Sequence, residues 1–248
     1  MTINWPLICV LFCLSIPGVL IAMPRLIALL LPNNSIEIKR RFSRFAVTQT
    51  LFMVLVLSFA GSILSQTTGL SDPVLDGLLQ GKVGLSGLQA ILLPTFLYAL
   101  IGLIVFCGLY YGLVGSLLDE HNLEVMRKLR AAIGEDGCVL YGGVVEEVIA
   151  RYGLMNLLAF FLIFFTRQHN AGIIWTVILL SGLIWAVGQM PAYIAAGAVA
   201  SRRFVYSILL LYVWQAIVFG FLFWQYGLIS AILAHMLFHL GWARYDKA

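Results

Sequence analysis

The chain has 248 residues, of which 62% are hydrophobic and 10% are charged, and its net charge is +4. Its mean hydropathy is +0.99, which excludes an ordinary soluble globule because too few polar residues are present to cover its surface. The small positive charge gives no support to nucleic-acid binding. We therefore expect an all-α integral membrane protein.

Apolar stretches recur along the chain and predict about seven transmembrane helices, since roughly 20 apolar residues span the hydrocarbon core. The first stretch lacks a basic leader and is too long for a signal peptide, so we interpret it as a retained helix. Residues 192–200 follow Pro191, which we expect to end the fifth span, and are too short to cross, so we expect a re-entrant or interfacial piece there. The predicted spans are approximately 5–31, 45–64, 88–118, 137–165, 172–189, 204–224 and 228–243.

Basic residues indicate how the helices are oriented. The loops expected on one side hold most of the lysines and arginines, whereas the opposite loops hold Lys82 and Arg167. By the positive-inside rule we predict an extracytoplasmic amino terminus and a cytoplasmic carboxy terminus, in the cell inner membrane. The residues on the predicted cytoplasmic side are Lys39, Arg40, Arg41, Arg44, Arg127, Lys128, Arg130, Arg202, Arg203, Arg244 and Lys247.

The fourth span carries charged residues where lipid disfavours them. Glu147 and Arg151 have the i, i+4 spacing of an ion pair on one helix face. Glu146 points roughly 100° away from Glu147 on a 3.6-residue helix. Because two neighbouring carboxylates do not both ionise cheaply in a low dielectric, the arrangement suits a general base. The alternative is a packing ion pair beside one protonated glutamate.

Two further helices add polar groups. His235 and His239 lie on one face of the last span, a geometry that can bind a metal, move protons or donate hydrogen bonds to an oxyanion. A membrane histidine can also be a simple packing residue. Gln189 ends the fifth span, four residues after Trp185. We expect Glu146, Gln189 and the two histidines to converge in the inner half of the membrane, around a water-accessible cavity.

The order of these motifs is similar to that of the CAAX protease and bacteriocin-processing family, also called the Abi family. The similarity covers roughly residues 137–243 and includes the glycine-containing segment that precedes the last motif. It implies that residues 137–248 form a four-helix catalytic-type core, with residues 1–136 supplying the amino-terminal helices and a cytoplasmic loop of the same membrane domain. The residues that carry it are Glu146, Glu147 and Arg151, then Trp185 and Gln189, then His235 and His239.

The resemblance implies an intramembrane endopeptidase that cuts a membrane-proximal peptide or a prenylated protein in contact with membrane lipids. In that role Glu146 activates water, Glu147 and Arg151 support it electrostatically, and His235 assists the oxyanion or transfers a proton. No cofactor is expected. A divalent metal held by Glu146, His235 and His239 is the less favoured alternative, and the four cysteines have no spacing typical of a zinc module or a disulfide framework.

Two positions depart from the family pattern. Gln189 stands where the family has histidine, and His239 stands where it has asparagine or aspartate. Glutamine donates hydrogen bonds but is neither acid nor base near neutral pH, so His239 is expected to restore the missing imidazole. Two other functions stay open: an inactive relative acting as a scaffold, receptor or bacteriocin-immunity protein, and a proton-coupled transporter, against which the lack of a visible inverted repeat counts. The sequence determines neither the substrate nor the oligomeric state.

Overall fold

The computed structural model describes residues 3–82 and 86–245, and the regular elements within those ranges are all helices. The predicted all-α class is therefore confirmed. The elements are α1 (Trp5–Leu30), α2 (Ile36–Thr68), α3 (Pro73–Leu79), α4 (Ser86–Leu117), α5 (Glu120–Gly137), α6 (138–166), α7 (Ala171–Ala195), α8 (Arg202–Tyr226) and α9 (Leu228–Tyr245).

Six helical runs within the described chain are long and apolar enough to cross a membrane: α1, α2, α4, the joined run of α5 and α6, α7 and α8. Helix α9 has 18 residues, or about 27 Å at 1.5 Å per residue. It packs against α4, α6 and α8 and carries both histidines of the last motif. The protein is thus an integral, multi-pass membrane protein. Helix α9 coincides with the seventh predicted span but is not among the six, so the seventh pass stays a prediction.

Contacts between helix ends show which ends lie together on each of two opposite faces of the bundle. On the first face, the Asn4 side chain donates to Asp76 at 2.8 Å, joining the start of α1 to α3. The buried Asp72 carboxylate accepts from the Ile229 N–H at 2.5 Å, joining α3 to the start of α9. This face therefore holds the amino-terminal ends of α1 and α9, as seven passes require.

The second face gathers the basic segments. Asn122 near the start of α5 accepts from the Val199 N–H at 2.8 Å, which joins α5 to the loop before α8. Arg25 near the end of α1 pairs with Asp136 at the end of α5. The basic residues of α2, α5 and α8 and Arg244 thus follow the predicted grouping, while residue 247 lies outside the described chain. The orientation of this face toward the cytoplasm stays a prediction, as does the division of the chain at residue 137.

Some predicted boundaries are wrong. Helix α2 starts at Ile36 rather than near residue 45, so the basic cluster lies on the helix. Pro191 does not end the fifth span, because α7 continues to Ala195; membrane helices tolerate a proline whose missing N–H costs one hydrogen bond. Residues 196–200 form a turn and a short connection, so that segment is not the expected re-entrant piece, although it does not cross.

A glycine turns the chain from the membrane surface into the bundle. The predicted charged loop is the amphipathic helix α5, and Gly134 interrupts its helical backbone with φ 81° and ψ 163°. That region is accessible essentially to glycine. The Arg25 guanidinium holds the bend by donating to the Ile133 carbonyl at 2.7 Å and to Asp136 at 2.5 Å. Helix α5 can therefore lie along one face while α6 enters the bundle.

We expect Gly134→Ala to destabilise the protein by about 1–3 kcal/mol, the cost of a non-glycine residue in this backbone region. The added Cβ would also lie 2.6 Å from the Arg25 guanidinium. Equilibrium unfolding in detergent measures the effect. Gly108→Ala is the matched control, because a Cβ there meets nothing within 4 Å; equal stability of both variants would contradict the role of the bend.

Candidate functional site

Helix α6 carries the first motif on widened turns. Residues Cys138–Glu146 and Val148–Met155 are π-helical, a form that is frequent at functional sites. Two glycines on these turns let α9 approach closely: a Cβ on Gly142 would collide with the His239 imidazole, and one on Gly143 with Met236. The pair Gly142 and Gly143 thus brings the last motif against the first.

The predicted ion pair is present and buried. Arg151 Nε lies 3.3 Å from Glu147 Oε2, and these residues are 3% and 1% exposed. His235 Nδ1 lies 2.7 Å from the other carboxylate oxygen of Glu147. Because a carboxylate accepts hydrogen bonds, Nδ1 of the imidazole donates this one. Three of the predicted site residues therefore form one buried cluster.

The position of His235 differs from the expectation that it would converge on Glu146. Its partner is Glu147, and its ring stacks on Phe219 at 4.1 Å and on His239 at 4.8 Å between centroids. Within the described ranges its Nε2 atom has no hydrogen-bond partner. His235 therefore contacts the cavity residue His239 but does not itself line the cavity.

The other three predicted residues line one cavity. Glu146 from α6, Gln189 from α7 and His239 from α9 face a space of about 170 Å³ that is accessible to water, enough for several water molecules. Glu147, Arg151 and His235 are not among its lining residues. Further polar side chains on the wall are Arg130, Cys138, Tyr141, Tyr193, Tyr212 and Gln215.

A tryptophan of the second motif lies beside the glutamate that faces the cavity. The Trp185 side chain is close enough to interact with the Glu146 carboxylate, and an indole N–H can only donate to such a group. Trp185 lies one helical turn before Gln189 on α7. The second motif therefore places an indole near Glu146 and contributes the Gln189 amide to the wall.

Stacking holds the His239 ring. It lies between His235 and Trp242, whose centroid is 6.3 Å away and whose plane is tilted by 18°. The Trp242 indole N–H donates to the Tyr111 hydroxyl at 3.1 Å, and the Arg130 guanidinium carbon lies 3.5 Å from the Trp242 centroid. A column of aromatic and cationic groups thus runs from the buried cluster past the cavity to α5.

The sequence reasoning missed four residues of this site. Tyr193 lies four residues after Gln189 and Trp242 three after His239, so helical spacing from the motifs could have identified both. Tyr212 is one of few polar groups in the middle of α8, three residues before Gln215, which was the available signal. Arg130 was assigned to a cytoplasmic loop, because nothing in the sequence shows that α5 folds over the cavity.

The structure does not assemble the less favoured metal site. In the parts of the chain that the structure describes, no group of three His, Cys, Asp or Glu side chains is placed to hold a metal ion. Of the three proposed ligands, His235 uses Nδ1 to bind Glu147 and lies outside the cavity wall. We therefore derive no step through a metal. Cys9, Cys13, Cys107 and Cys138 form no disulfide bond in the described part of the chain.

Comparison with known proteins agrees with the motif resemblance. Residues 137–241 match the model of a family described as type II CAAX prenyl endopeptidase Rce1-like. This segment runs from the start of α6 into α9 and holds all seven motif residues. No curated protein and no solved structure matches the chain.

Removing one partner of the buried ion pair should be costly. We expect Arg151→Ala to lower the free energy of unfolding by about 3–5 kcal/mol, since it leaves the Glu147 charge buried without compensation. Lys128→Ala breaks the exposed i, i+4 pair with Glu124, so it should cost less than about 1 kcal/mol. Unfolding of both variants in detergent tests this contrast, and similar losses in the two would contradict it.

Proposed function

We propose that this chain is an intramembrane endopeptidase in which Glu146 activates water. Its residues 137–241 match the family described as type II CAAX prenyl endopeptidase Rce1-like, which supports the proposal. The observation that carries the proposal is the convergence of three motif residues from three helices, Glu146, Gln189 and His239, on one water-accessible cavity. A packing ion pair alone would need no such cavity.

The proposed reaction is hydrolysis of a peptide bond. Glu146 takes a proton from a cavity water while the water oxygen attacks the peptide carbonyl carbon. The negative charge that forms on the carbonyl oxygen accepts a hydrogen bond from the Gln189 amide. As the carbon–nitrogen bond breaks, the protonated Glu146 returns its proton to the leaving amine. The products are a new carboxyl group and a new amino group.

His239 takes the place of the histidine that the family carries at the position of Gln189 on α7. Its imidazole lines the same cavity as Gln189 but comes from α9. Since glutamine cannot exchange protons near neutral pH, His239 supplies an imidazole that can relay a proton to the leaving amine or donate to the oxyanion. Stacking on His235 and Trp242 fixes the plane of its ring.

The buried cluster of Glu147, Arg151 and His235 affects Glu146 electrostatically. Arg151 compensates the charge of Glu147, and the Glu147 carboxylate is further engaged by His235. This compensation keeps a second uncompensated negative charge away from Glu146 in a low dielectric, where like charges repel strongly. The cluster therefore serves as electrostatic support rather than as part of the cavity wall.

The cavity wall favours a substrate that carries apolar groups. Helices α1 and α5 contribute apolar side chains to it, including Met23, Leu26, Met126 and Leu129. An aliphatic chain gains free energy by leaving water for such a surface. We propose a membrane-proximal or prenylated peptide, entering from the face that holds α5, which the basic residues assign to the cytoplasm.

Glu146→Gln should abolish cleavage of a prenylated peptide library by the purified protein. We expect a rate loss of at least about 100-fold, because an amide cannot accept the proton from water. Glu124→Gln removes a carboxylate from the exposed face of α5 and should leave the rate unchanged. Mass spectrometry of the products provides the measurement. Folded wild-type protein that cuts neither prenylated nor unmodified peptides would instead favour the scaffold function, which the glutamine at position 189 already suggests.

The exchange of motif residues can be tested by reversing it. We expect His239→Asn to lower the cleavage rate by roughly 100-fold, as it removes the cavity imidazole. The double variant Gln189→His, His239→Asn restores the family pattern and should cleave at least about tenfold faster than His239→Asn alone. Steady-state cleavage rates of the wild type, His239→Asn and the double variant provide the measurement. A double variant no faster than His239→Asn would show that the two positions are not interchangeable.

A further inference from the structure

A pair of tyrosines on the cavity wall lies outside the family's motifs. We infer that Tyr193 and Tyr212 act together as an additional oxyanion donor, with one phenol binding the carbonyl oxygen of the substrate and the other orienting it. The inference rests on the proposed peptidase function. It assigns catalytic work to two residues that the motif resemblance does not include.

The two phenols are held together inside the cavity. Their hydroxyl oxygens lie 3.2 Å apart, within hydrogen-bond distance, and both side chains belong to the cavity wall. Tyr193 lies one helical turn after Gln189 on α7, and Tyr212 lies on α8. The pair therefore extends the polar surface that begins with the Gln189 amide.

The two hydroxyl protons of the pair are enough for one hydrogen bond within it and one to an anion. Each phenol carries one proton, and the bond between the two oxygens uses one of them. The hydroxyl that accepts this bond keeps its own proton for a group in the cavity. Bonds in such a chain polarise one another, so the accepting hydroxyl becomes a better donor than an isolated phenol.

Packing limits the rotation of Tyr193. Its ring lies edge-on against Phe204 at the start of α8, with 5.9 Å between centroids. The pair is also close enough to the glutamate for the Glu146 charge to act on both phenols. The hydroxyls, the proposed base and the Gln189 amide thus surround the same space before any substrate arrives, which is the preorganisation that oxyanion stabilisation requires.

The substitution at position 189 explains why such a donor is needed. Gln189 supplies a neutral amide, whereas oxyanion sites commonly use more than one donor aimed at the developing charge. A phenol is a stronger acid than an amide, with an ordinary pKa of about 10, and remains protonated at neutral pH. The tyrosine pair therefore adds the strong neutral donor that an amide alone does not provide.

Conservative phenylalanine variants test the inference. Tyr193→Phe, Tyr212→Phe and the double variant remove hydroxyls but keep the rings, and Tyr206→Phe, at an exposed position of α8, is the control. We expect the single variant that removes the direct donor to lose roughly 10–100-fold in kcat with little change in KM. The other single variant should lose a smaller factor in kcat. Because the two hydroxyls act as a unit, the fold loss in kcat of the double variant should be smaller than the product of the two single-variant losses. A peptidyl phosphinate, which mimics the tetrahedral oxyanion, should lose affinity by the same factor as kcat/KM.

The possible outcomes separate this inference from the proposed function. If Glu146→Gln is inactive while all three tyrosine variants cleave at the wild-type rate, the pair is not an oxyanion donor and the peptidase stands. A rise in KM at constant kcat, with phosphinate affinity falling only as much as substrate affinity, would also overturn the inference. Wild-type protein without cleavage would overturn both. Unfolding curves show whether each variant is folded, and either single variant is sufficient for the test if the other fails to fold.

Discussion

The ion pair between Glu147 and Arg151 is the constraint on which the site depends. Lipid cannot solvate a charge in the middle of α6, so each charged group there must find its partner within the protein. Arg151 and His235 together engage both oxygens of the Glu147 carboxylate. One glutamate thus has an ion-pair partner and a hydrogen-bond partner within the protein, while the neighbouring Glu146 faces the cavity. Two adjacent residues of the same type thereby acquire different environments.

Close packing of α6 and α9 brings the histidines of the last motif next to the two glutamates. Gly142 and Gly143 lie one turn before the glutamates and allow α9 to contact α6 without intervening side chains. The histidines of α9 are then at two depths: His235 reaches the buried carboxylate, and His239 reaches the cavity. Helix α5 lies over the cavity because the chain bends at Gly134, where Arg25 holds the turn. Helices α6 and α9 thus supply both the buried cluster and part of the cavity wall, and α5 covers the cavity.

Hydropathy and helical spacing were sufficient for much of this structure. The apolar stretches predicted the membrane passes, and the i, i+4 spacing predicted the ion pair of Glu147 and Arg151. Spacing within one helix could not show how two helices are rotated against each other, so His235 was expected near Glu146 rather than Glu147. The bend at Gly134 depends on a tertiary contact with Arg25, 109 positions earlier in the chain. Spacing from Gln189 could identify Tyr193, but neither the cover of α5 nor the contact between Tyr193 and Tyr212 was predictable from local patterns, since both depend on how helices pack.

The central claim is that a water held by Glu146 attacks the peptide directly. Hydrolysis by the purified protein in water enriched in oxygen-18, followed by mass spectrometry of both products and of the intact protein during turnover, tests this claim most directly. The account predicts one oxygen-18 atom in the newly formed carboxyl group after a single turnover, with no acyl group attached to the protein. A covalent acyl-protein, or a peptide that remains uncut by folded protein, would contradict it.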